Sequence, residues 1–328
     1  MGRTSQLIVG PGMFRLLLAL AVVANHVTKL QSGLAAVLLF FVLSGYWVAD
    51  LWAKTPEPNR VATFYLNRVL RIWPLYLAVM LVCAAVRNRV PGFSELFLFG
   101  AASLPYPHMI GTEWSLDIEV QFYALLPVLG LLAARTPRFV LVLLVAAIAW
   151  LGWRFETATG IVNIAKFLPA FAIGMALQRT QWSPDDRTAS ISLTAFIALA
   201  AIQGWLWEVY SGPMHALFHG WDDDALAAVW IAPLIPYVAA SLHRLSDADD
   251  RVRGDLSYPL YLVHLPILLA FQEVYNWRTE FGVLALLALM AIFTAAFWLG
   301  IDRPAERFRK AFLATHPLAR RYRTPISS

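Results

Sequence analysis

The sequence predicts an all-α, polytopic membrane protein: a bundle of about ten transmembrane helices with both termini in the cytoplasm. Three observations lead to this prediction. Of the 328 residues, 59% are hydrophobic and only 14% are charged, whereas soluble domains carry about 25% charged residues. Apolar runs long enough to cross a bilayer recur along the chain with short gaps. Basic residues are concentrated in alternate connections between these runs, as the positive-inside rule expects.

The apolar runs define the predicted spans, which we place at residues 13–30, 34–52, 64–86, 118–134, 139–155, 160–178, 190–207, 225–243, 257–275 and 282–301. A further run at 93–104 is too short to cross, so we expect a re-entrant or interfacial segment. Residues 1–12 then form a cytoplasmic lead, 13–301 the membrane domain and 302–328 a basic cytoplasmic tail. The only cysteine, Cys83, lies in an apolar run, which excludes an intrachain disulfide. No spacing of His, Asp and Glu predicts a metal site.

The basic residues set the predicted orientation. With the N-terminus inside, 19 of the 26 Lys and Arg residues lie on the cytoplasmic side and five lie outside, while Arg15 and Lys166 fall within spans. The formal net charge of +5 is scattered over short loops and the tail. This distribution favours anionic lipid surfaces over nucleic acid as a partner.

The first span carries two polar side chains on one face. Arg15 and His26 are eleven residues apart, which at about 100° per residue is about three turns plus 20°, or about 16 Å along the axis. We expect His26 to lie well inside the span. Ionisable groups at such positions usually face a bundle interior or a wet cavity. The alternative is that Arg15 snorkels to the headgroups and His26 bonds a carbonyl.

The second and third spans offer small residues and an arginine pair. Ser44 and Gly45 lie in the middle of the second span, where small residues let a helix or a ligand approach the backbone; ordinary helix packing is the simpler explanation. Arg68 and Arg71 share a face at the cytoplasmic end of the third span, and two guanidinium groups there suit phosphates. Alternatively, the two arginines could serve only to set the membrane topology. This explanation fits Arg68 well and Arg71 less well.

The fourth and ninth spans begin with polar residues. Asp117 fits the first turn of a helix, but Glu119 lies at the edge of the span. In the predicted topology Glu119 and His26 are both in the outer half of the membrane, so we expect them to meet. A carboxylate beside an imidazole fixes its tautomer and raises its basicity. His264 is a second intramembrane histidine, flanked by prolines, and a bond to a freed carbonyl would also explain it.

Five stretches resemble, in order, the motifs of the acyltransferase family 3 membrane proteins, which are O-acyltransferases that modify surface polysaccharides and other hydroxylated acceptors. The stretches are Arg15 with His26, Phe40 to Gly45, Arg68 to Tyr76, Trp114 to Tyr123 and Leu256 to Pro266. The ending Ile301 to Glu306 is similar to the family's exit from the last helix. Two positions depart from the pattern: no acidic residue precedes Arg15, and Val120 follows Glu119 where many members have a second glutamate.

The resemblance implies transfer of an acyl group, expected to be acetyl, from acyl-coenzyme A to a hydroxyl. An alcohol needs a base to become a good nucleophile, and His26 oriented by Glu119 is the candidate. Arg15, Arg68 and Arg71 are the candidate donor-binding residues. The supporting site residues are Ser44, Gly45, Trp114, Ser115, Tyr123, Tyr261 and His264. The resemblance implies a multi-pass protein of the bacterial cytoplasmic (inner) membrane, with no bound cofactor or metal and with acyl-coenzyme A as the donor substrate.

Two alternatives stay open at this point. A proton-coupled transporter or flippase of a glycolipid or oligosaccharide would also use intramembrane Arg, His and Glu, although no inverted repeat is present in the sequence. A membrane scaffold would leave the aligned charges unexplained. If the protein is an enzyme, a covalent acyl-enzyme is an alternative to direct transfer, and Ser44 would carry the acyl group. The acceptor could be a cell-wall glycan, a lipid-linked sugar, an oligosaccharide or a macrolide.

Overall fold

The computed structural model describes residues 7–28, 32–55, 59–104, 108–209, 227, 229–276 and 278–315. Every regular element among these residues is helical, so the all-α prediction is confirmed. The helices are α1 (Pro11–Val27), α2 (Gly33–Lys54), α3 (Arg60–Arg87), α4 (Phe93–Phe97), α5 (Glu113–Arg135), α6 (Arg138–Thr159), α7 (Ile164–Thr180), α8 (Asp186–Val209), α9 (Ile235–Leu242), α10 (Ala248–Val274), α11 (Glu280–Phe297) and α12 (Arg303–Thr315).

Six helices of the described chain are long and apolar enough to cross a membrane: α2, α3, α5, α6, α10 and the continuous stretch Glu280–Thr315. Helix α1 and the stretch Val229–Leu242 are apolar but shorter. The structure is thus that of a multi-pass membrane protein, and a helix overlaps each of the ten predicted spans. The number ten and the orientation stay predictions. The short run at 93–104 forms α4 and a 3-10 turn, Ala101–Ser103, as expected of a segment that does not cross.

The chain divides into two compact units. The first contains Met1–Val42 and Arg179–Ser257, and the second contains Leu43–Gln178 and Tyr258–Ser328. Helices α2 and α10 each continue from one unit into the other. The predicted site residues therefore separate into two groups, with Arg15 and His26 in the first unit and all the others in the second.

In the first unit, the start of α1 is capped by a carboxylate from another helix. Asp250, in the first turn of α10, accepts hydrogen bonds from the backbone amides of Gly12 (3.0 Å) and Met13 (2.8 Å). The residue at the N-cap position, Gly10, has no side chain to do this. A Cβ atom on Gly10 or Gly12 would collide with Asp250. The glycines therefore let the carboxylate reach the positive end of the α1 dipole.

The segment before α1 is tied to α9. The Tyr237 hydroxyl donates to the carbonyl of Leu7 (3.0 Å) and accepts from the amide of Val9 (3.2 Å). The Ser241 hydroxyl donates to the carbonyl of Val9 (3.0 Å). Residues 7–12, predicted as part of a cytoplasmic lead, are thus anchored to helices far away in sequence, and they fix where α1 begins.

Helix α1 ends earlier than the apolar run. Its last residue is Val27, and Thr28 is extended. The Asn25 side chain accepts a hydrogen bond from the amide of Gly33 (3.0 Å), and Ser32 donates to the carbonyl of Ala21 (2.8 Å). These bonds turn the chain toward α2. His26 consequently lies in the last turn of α1, nearer the end of the helix than the apolar run indicated, and its depth in the membrane stays a prediction.

In the second unit, aromatic side chains form much of the core. Phe64, Tyr76, Phe122 and Phe171 are fully buried, and the rings of Phe122 and Phe171 stack with centroids 4.2 Å apart. Helix α12 packs against α3. Between α11 and α12 the residues Trp298–Asp302 form a π-turn, a local widening of the helix that is often found at functional sites.

Candidate active site

The first turns of α5 carry the central carboxylate of the second unit. One oxygen of Glu119, Oε1, accepts a hydrogen bond from the Ser44 hydroxyl on α2 (2.6 Å) and another from the Tyr123 hydroxyl one turn along α5 (2.6 Å). No described residue donates to the other oxygen, Oε2. Glu119 itself is half-buried, whereas Ser44 and Tyr123 are buried. A half-buried carboxylate with one free oxygen is equipped to accept a further proton or hydrogen bond.

Three neighbouring carboxylates have a different role. Glu113 accepts from the amides of Ile110 and Gly111, and Asp117 accepts from those of Gly100 (3.3 Å) and Ala102 (2.9 Å). Glu95 accepts from the amide of Gly92 (2.8 Å) and from Arg89.

These three side chains are at most 4% exposed, and each has a donor on both oxygens. They hold the connection between α3 and α5 in place. Glu119 is the exception in this stretch, because its partners are hydroxyl groups and only one of its oxygens is used.

Arg68 lies beside this cluster. Its guanidinium carbon is 5.7 Å from the centre of the Tyr123 ring, the geometry of a cation–π contact. Its Nη2 donates to the Asn67 side chain (2.7 Å), and its buried Nε atom has no acceptor in the part of the chain that the structure describes. Among the described residues no carboxylate pairs with Arg68. Arg68, Tyr123, Glu119 and Ser44 thus form a continuous polar cluster from three helices, which we call the Glu119 cluster.

Arg71, by contrast, already has an anionic partner. Its Nη1 atom lies 3.0 Å from Oδ1 of Asp302, in the π-turn, and its guanidinium stacks on Tyr258 at 5.4 Å. The side chains of Arg71 and Asp302 are 19% and 5% exposed. The sequence analysis gave Asp302 no role in the site. Asp302 therefore offsets the positive charge of Arg71 inside the protein, and a donor-binding role for Arg71 stays a prediction.

The small residues in the middle of α2 have separate roles. A Cβ atom on Gly45 would collide with the carbonyl oxygen of Phe171 on α7, so helix packing explains this glycine, as the simpler interpretation expected. Packing does not explain Ser44, whose hydroxyl reaches Glu119. The contact between Gly45 and α7 holds the neighbouring Ser44 at the height of the carboxylate.

Ser115, Tyr261 and His264 form a second polar group in the same unit. The Ser115 hydroxyl donates to the carbonyl of Thr112 (3.0 Å), so the Tyr261 hydroxyl, 2.6 Å away, must be the donor to Ser115. His264 is fully buried, and its Nδ1 lies 2.8 Å from the carbonyl of Tyr261. Since a carbonyl only accepts, Nδ1 carries the proton. This is the carbonyl-bonded arrangement that the simpler interpretation expected.

The remaining predicted site residues are also placed. The Trp114 ring lies against Phe167, with centroids 6.0 Å apart. In the first unit, Arg15 is half-buried and His26 is exposed, both on α1. Whether His26 meets Glu119 stays a prediction, because the two residues belong to different units. Among the described residues, no group of three or more His, Cys, Asp or Glu is placed to hold a metal ion.

The sequence analysis gave no role to two buried aspartates that have distant partners, Asp250 in a predicted cytoplasmic connection and Asp302 at the start of the predicted tail. They are 5% and 4% exposed. Asp302 directly follows an apolar run, which was the available signal, whereas Asp250 lies among other aspartates and nothing in the sequence singles it out. Nothing in the sequence pairs either residue with its distant partner.

Comparison with known proteins gives consistent matches. The acyltransferase 3 family model, described as an acyltransferase domain, matches residues 9–302. Nodulation protein 10 of Rhizobium leguminosarum bv. viciae is 27% identical, over 85% of this chain and 83% of its own length. Acyltransferase MdmB of Streptomyces mycarofaciens is 31% identical, over 89% of this chain and 86% of its own length. No solved structure matches significantly.

Proposed function

Because this chain belongs to the acyltransferase 3 family of membrane acyltransferases, we propose that it transfers an acyl group, expected to be acetyl, from acyl-coenzyme A to a hydroxyl of a surface polysaccharide, a lipid-linked sugar or another glycosidic acceptor. The observation that carries the proposal is the Glu119 cluster. It places a carboxylate next to two hydroxyl groups and an arginine. Among the residues that the structure describes, one oxygen of this carboxylate has no donor and the arginine has no carboxylate partner.

The chemistry assigns a task to each of these groups. The acceptor hydroxyl must lose its proton as it attacks the carbonyl carbon of the acyl group, and a positioned base typically accelerates such a step by about 10²–10⁴-fold. We assign His26 as this base and Glu119 Oε2 as the acceptor for the imidazole N–H, which would fix its tautomer. The thiol of coenzyme A then leaves with a proton.

We assign binding of the acyl donor to the arginines. Coenzyme A carries several phosphate charges, and a guanidinium binds phosphate with two parallel hydrogen bonds. Arg68 is the first choice, because its Nε is unused and it has no carboxylate partner among the described residues. Arg15 and Arg71 are assigned beside it, with Arg71 exchanging between Asp302 and a phosphate.

The proposal includes the predicted topology. Ten spans with both termini inside would place Arg68 at the cytoplasmic side, where acyl-coenzyme A is made, in a bacterial cytoplasmic (inner) membrane. The acceptor would then reach the site from the outer side or from within the bilayer.

The test is acyl transfer by purified protein in liposomes, supplied with [¹⁴C]acetyl-coenzyme A and a glycan and lipid extract of the host cells. Release of free coenzyme A is expected from wild type, and it would exclude a transporter. Glu119→Gln should reduce the rate by about 10²–10⁴-fold, as for loss of a positioned acid–base group.

Glu156→Gln is the matched control. Glu156 is also half-buried in the second unit, but it pairs with Lys166 at 3.1 Å. This variant should keep near-normal turnover. Near-normal turnover of Glu119→Gln, in protein with unchanged thermal stability, would refute the assignment of the site.

A further inference from the structure

The hydroxyl of Ser44 donates to a carboxylate on another helix. Serine hydroxyls in helices commonly donate back to a carbonyl of their own helix, as Ser190 does to Asp186 (2.7 Å) and Ser257 does to Gly254 (2.6 Å). Ser44 instead donates across to Glu119 on α5, at 2.6 Å and 75 residues away in sequence.

Only one other described serine donates to a carboxylate. Ser246 bonds Asp250 (2.7 Å), four residues away, but that carboxylate also accepts two backbone amides. It is therefore held by structural bonds on both oxygens, whereas Glu119 accepts only hydroxyls, on one oxygen. The pair of Ser44 and Glu119 is thus a hydroxyl nucleophile with a base in hydrogen-bonding contact.

We propose that Ser44 is an acyl carrier, so that transfer proceeds through an acyl-serine ester; this inference rests on the proposed function. In the first step Ser44 Oγ bonds to the thioester carbonyl carbon, and its proton passes to Glu119. The carbon–sulfur bond breaks, and the coenzyme A sulfur takes the proton from Glu119 and leaves as the thiol. In the second step the oxygen of the acceptor hydroxyl bonds to the ester carbonyl carbon, and its proton goes to the base, His26. The bond between that carbon and Ser44 Oγ breaks, and Ser44 Oγ takes the proton back from His26.

Tyr123 donates to the same carboxylate oxygen, but its surroundings differ. Its ring is covered by Arg68 at 5.7 Å and packed by Phe64 and Phe122, each with centroids 6.3 Å away. An ester on the phenol would have to displace this packing. Ser44 has a short side chain that rotates about one bond, and the adjacent residue is Gly45. The structure therefore assigns the ester to Ser44 and gives Tyr123 the task of holding Glu119 in place.

The test omits the acceptor. Purified protein in liposomes is mixed with [¹⁴C]acetyl-coenzyme A alone, quenched in acid and digested for mass spectrometry. Wild type should release one equivalent of free coenzyme A in a burst and carry an acetyl ester on the peptide that contains Ser44. Ser44→Ala should lose both the burst and the label. Ser44→Cys should recover the label as a thioester, which neutral hydroxylamine removes rapidly.

Controls separate the possible outcomes. Ser190 lies outside the family motifs and donates to the carbonyl of Asp186 in its own helix, so Ser190→Ala should label like wild type. Acceptor acylation by Ser44→Ala at the wild-type rate, or an ester mapped to Tyr123, would overturn the acyl-serine while leaving the enzyme class intact. Absence of free coenzyme A release even with the host extract present would instead refute the proposed function.

Discussion

At the residue scale, Arg68 and Arg71, in the N-terminal half of α3, differ in what surrounds them. Arg71 is paired with Asp302, and Arg68 has an unused Nε and lies on the Tyr123 ring. A lysine in place of Arg68 would keep the charge but lose the planar pair of donors. Replacing Arg68 by lysine therefore distinguishes an arginine whose charge only sets the topology from one whose guanidinium binds phosphate.

We predict that Arg68→Lys weakens binding of a non-hydrolysable acyl-coenzyme A analogue by about ten- to a hundredfold, since a hydrogen bond to a charged group is worth about 1.5–3 kcal/mol. Isothermal titration calorimetry on purified protein gives the affinities. Arg60→Lys is the control, because Arg60 is on the same helix and also stacks on an aromatic ring, that of Trp52 at 5.6 Å. Equal affinities for wild type and Arg68→Lys would remove Arg68 from the donor site.

The residues of the Glu119 cluster could be named from the sequence, but their contacts could not. Glu119 stands out because it is a carboxylate at the edge of an apolar run, and Ser44 because it is a small residue in mid-span. Periodicity gives the face of one helix and not the identity of its neighbours. The bond between Ser44 and Glu119 joins positions 75 residues apart, which only the packing of α2 against other helices determines.

At the scale of helices, hydropathy located the apolar runs but not their ends. Helix α5 begins at Glu113, five residues before the predicted span, because buried Glu113 and Asp117 bond the preceding connection. Helix α1 ends at Val27, before the apolar run does, because Asn25 turns the chain. Polar side chains define both ends, and a hydropathy window averages them away.

The cap on α1 predicts a compensating pair of mutations. Asp250→Ala should destabilise the protein by about 0.5–2 kcal/mol, the usual cost of losing a helix cap. Gly10→Asp alone should also be harmful, because its side chain would collide with Asp250. The double variant should recover, since Gly10 has an ordinary extended conformation at the N-cap and a new aspartate there could cap α1 itself. Unfolding temperatures in detergent measure all three variants.

Acyl transfer by the same variants tests whether the cap positions Arg15 and His26. Activity should fall with Asp250→Ala and return in the double variant together with stability. Recovery of stability without activity would show that Asp250 acts on the reaction by another route.

The ion pair between Arg71 and Asp302, in the π-turn, is buried, and losing it should cost more stability than losing an exposed ion pair. Removing one partner of a buried pair costs about 3–5 kcal/mol, so Asp302→Ala should lower stability strongly. Asp50→Ala removes the partner of Lys54, whose side chain is 71% exposed, and exposed pairs contribute only about 0–1 kcal/mol. Thermal unfolding compares the two variants. Equally small losses of stability in the two variants would mean that the pairing of Asp302 with Arg71 does not stabilise the protein.

At the scale of the whole molecule, the asymmetry of basic residues predicts which side of the membrane would receive the proposed donor. Arg68 and Arg71 lie in the N-terminal half of α3, whereas Thr159 is the exposed last residue of α6. The positive-inside rule puts the first of these positions inside and the second outside. The assignment of cytosolic acyl-coenzyme A to Arg68 is only consistent with that orientation.

We therefore predict the labelling of single cysteines in a Cys83→Ala background, treated in intact cells with a membrane-impermeant maleimide. Thr159→Cys should be labelled from outside, as should Asp223→Cys, a position outside the described residues. Asp249→Cys, exposed in the first turn of α10, should be labelled only after the cells are opened. Because α10 also carries Asp250, this result fixes the side of the membrane on which α1 begins. The opposite pattern would place Arg68 outside, where no acyl-coenzyme A is available, and the donor would then have to be a different activated acyl group.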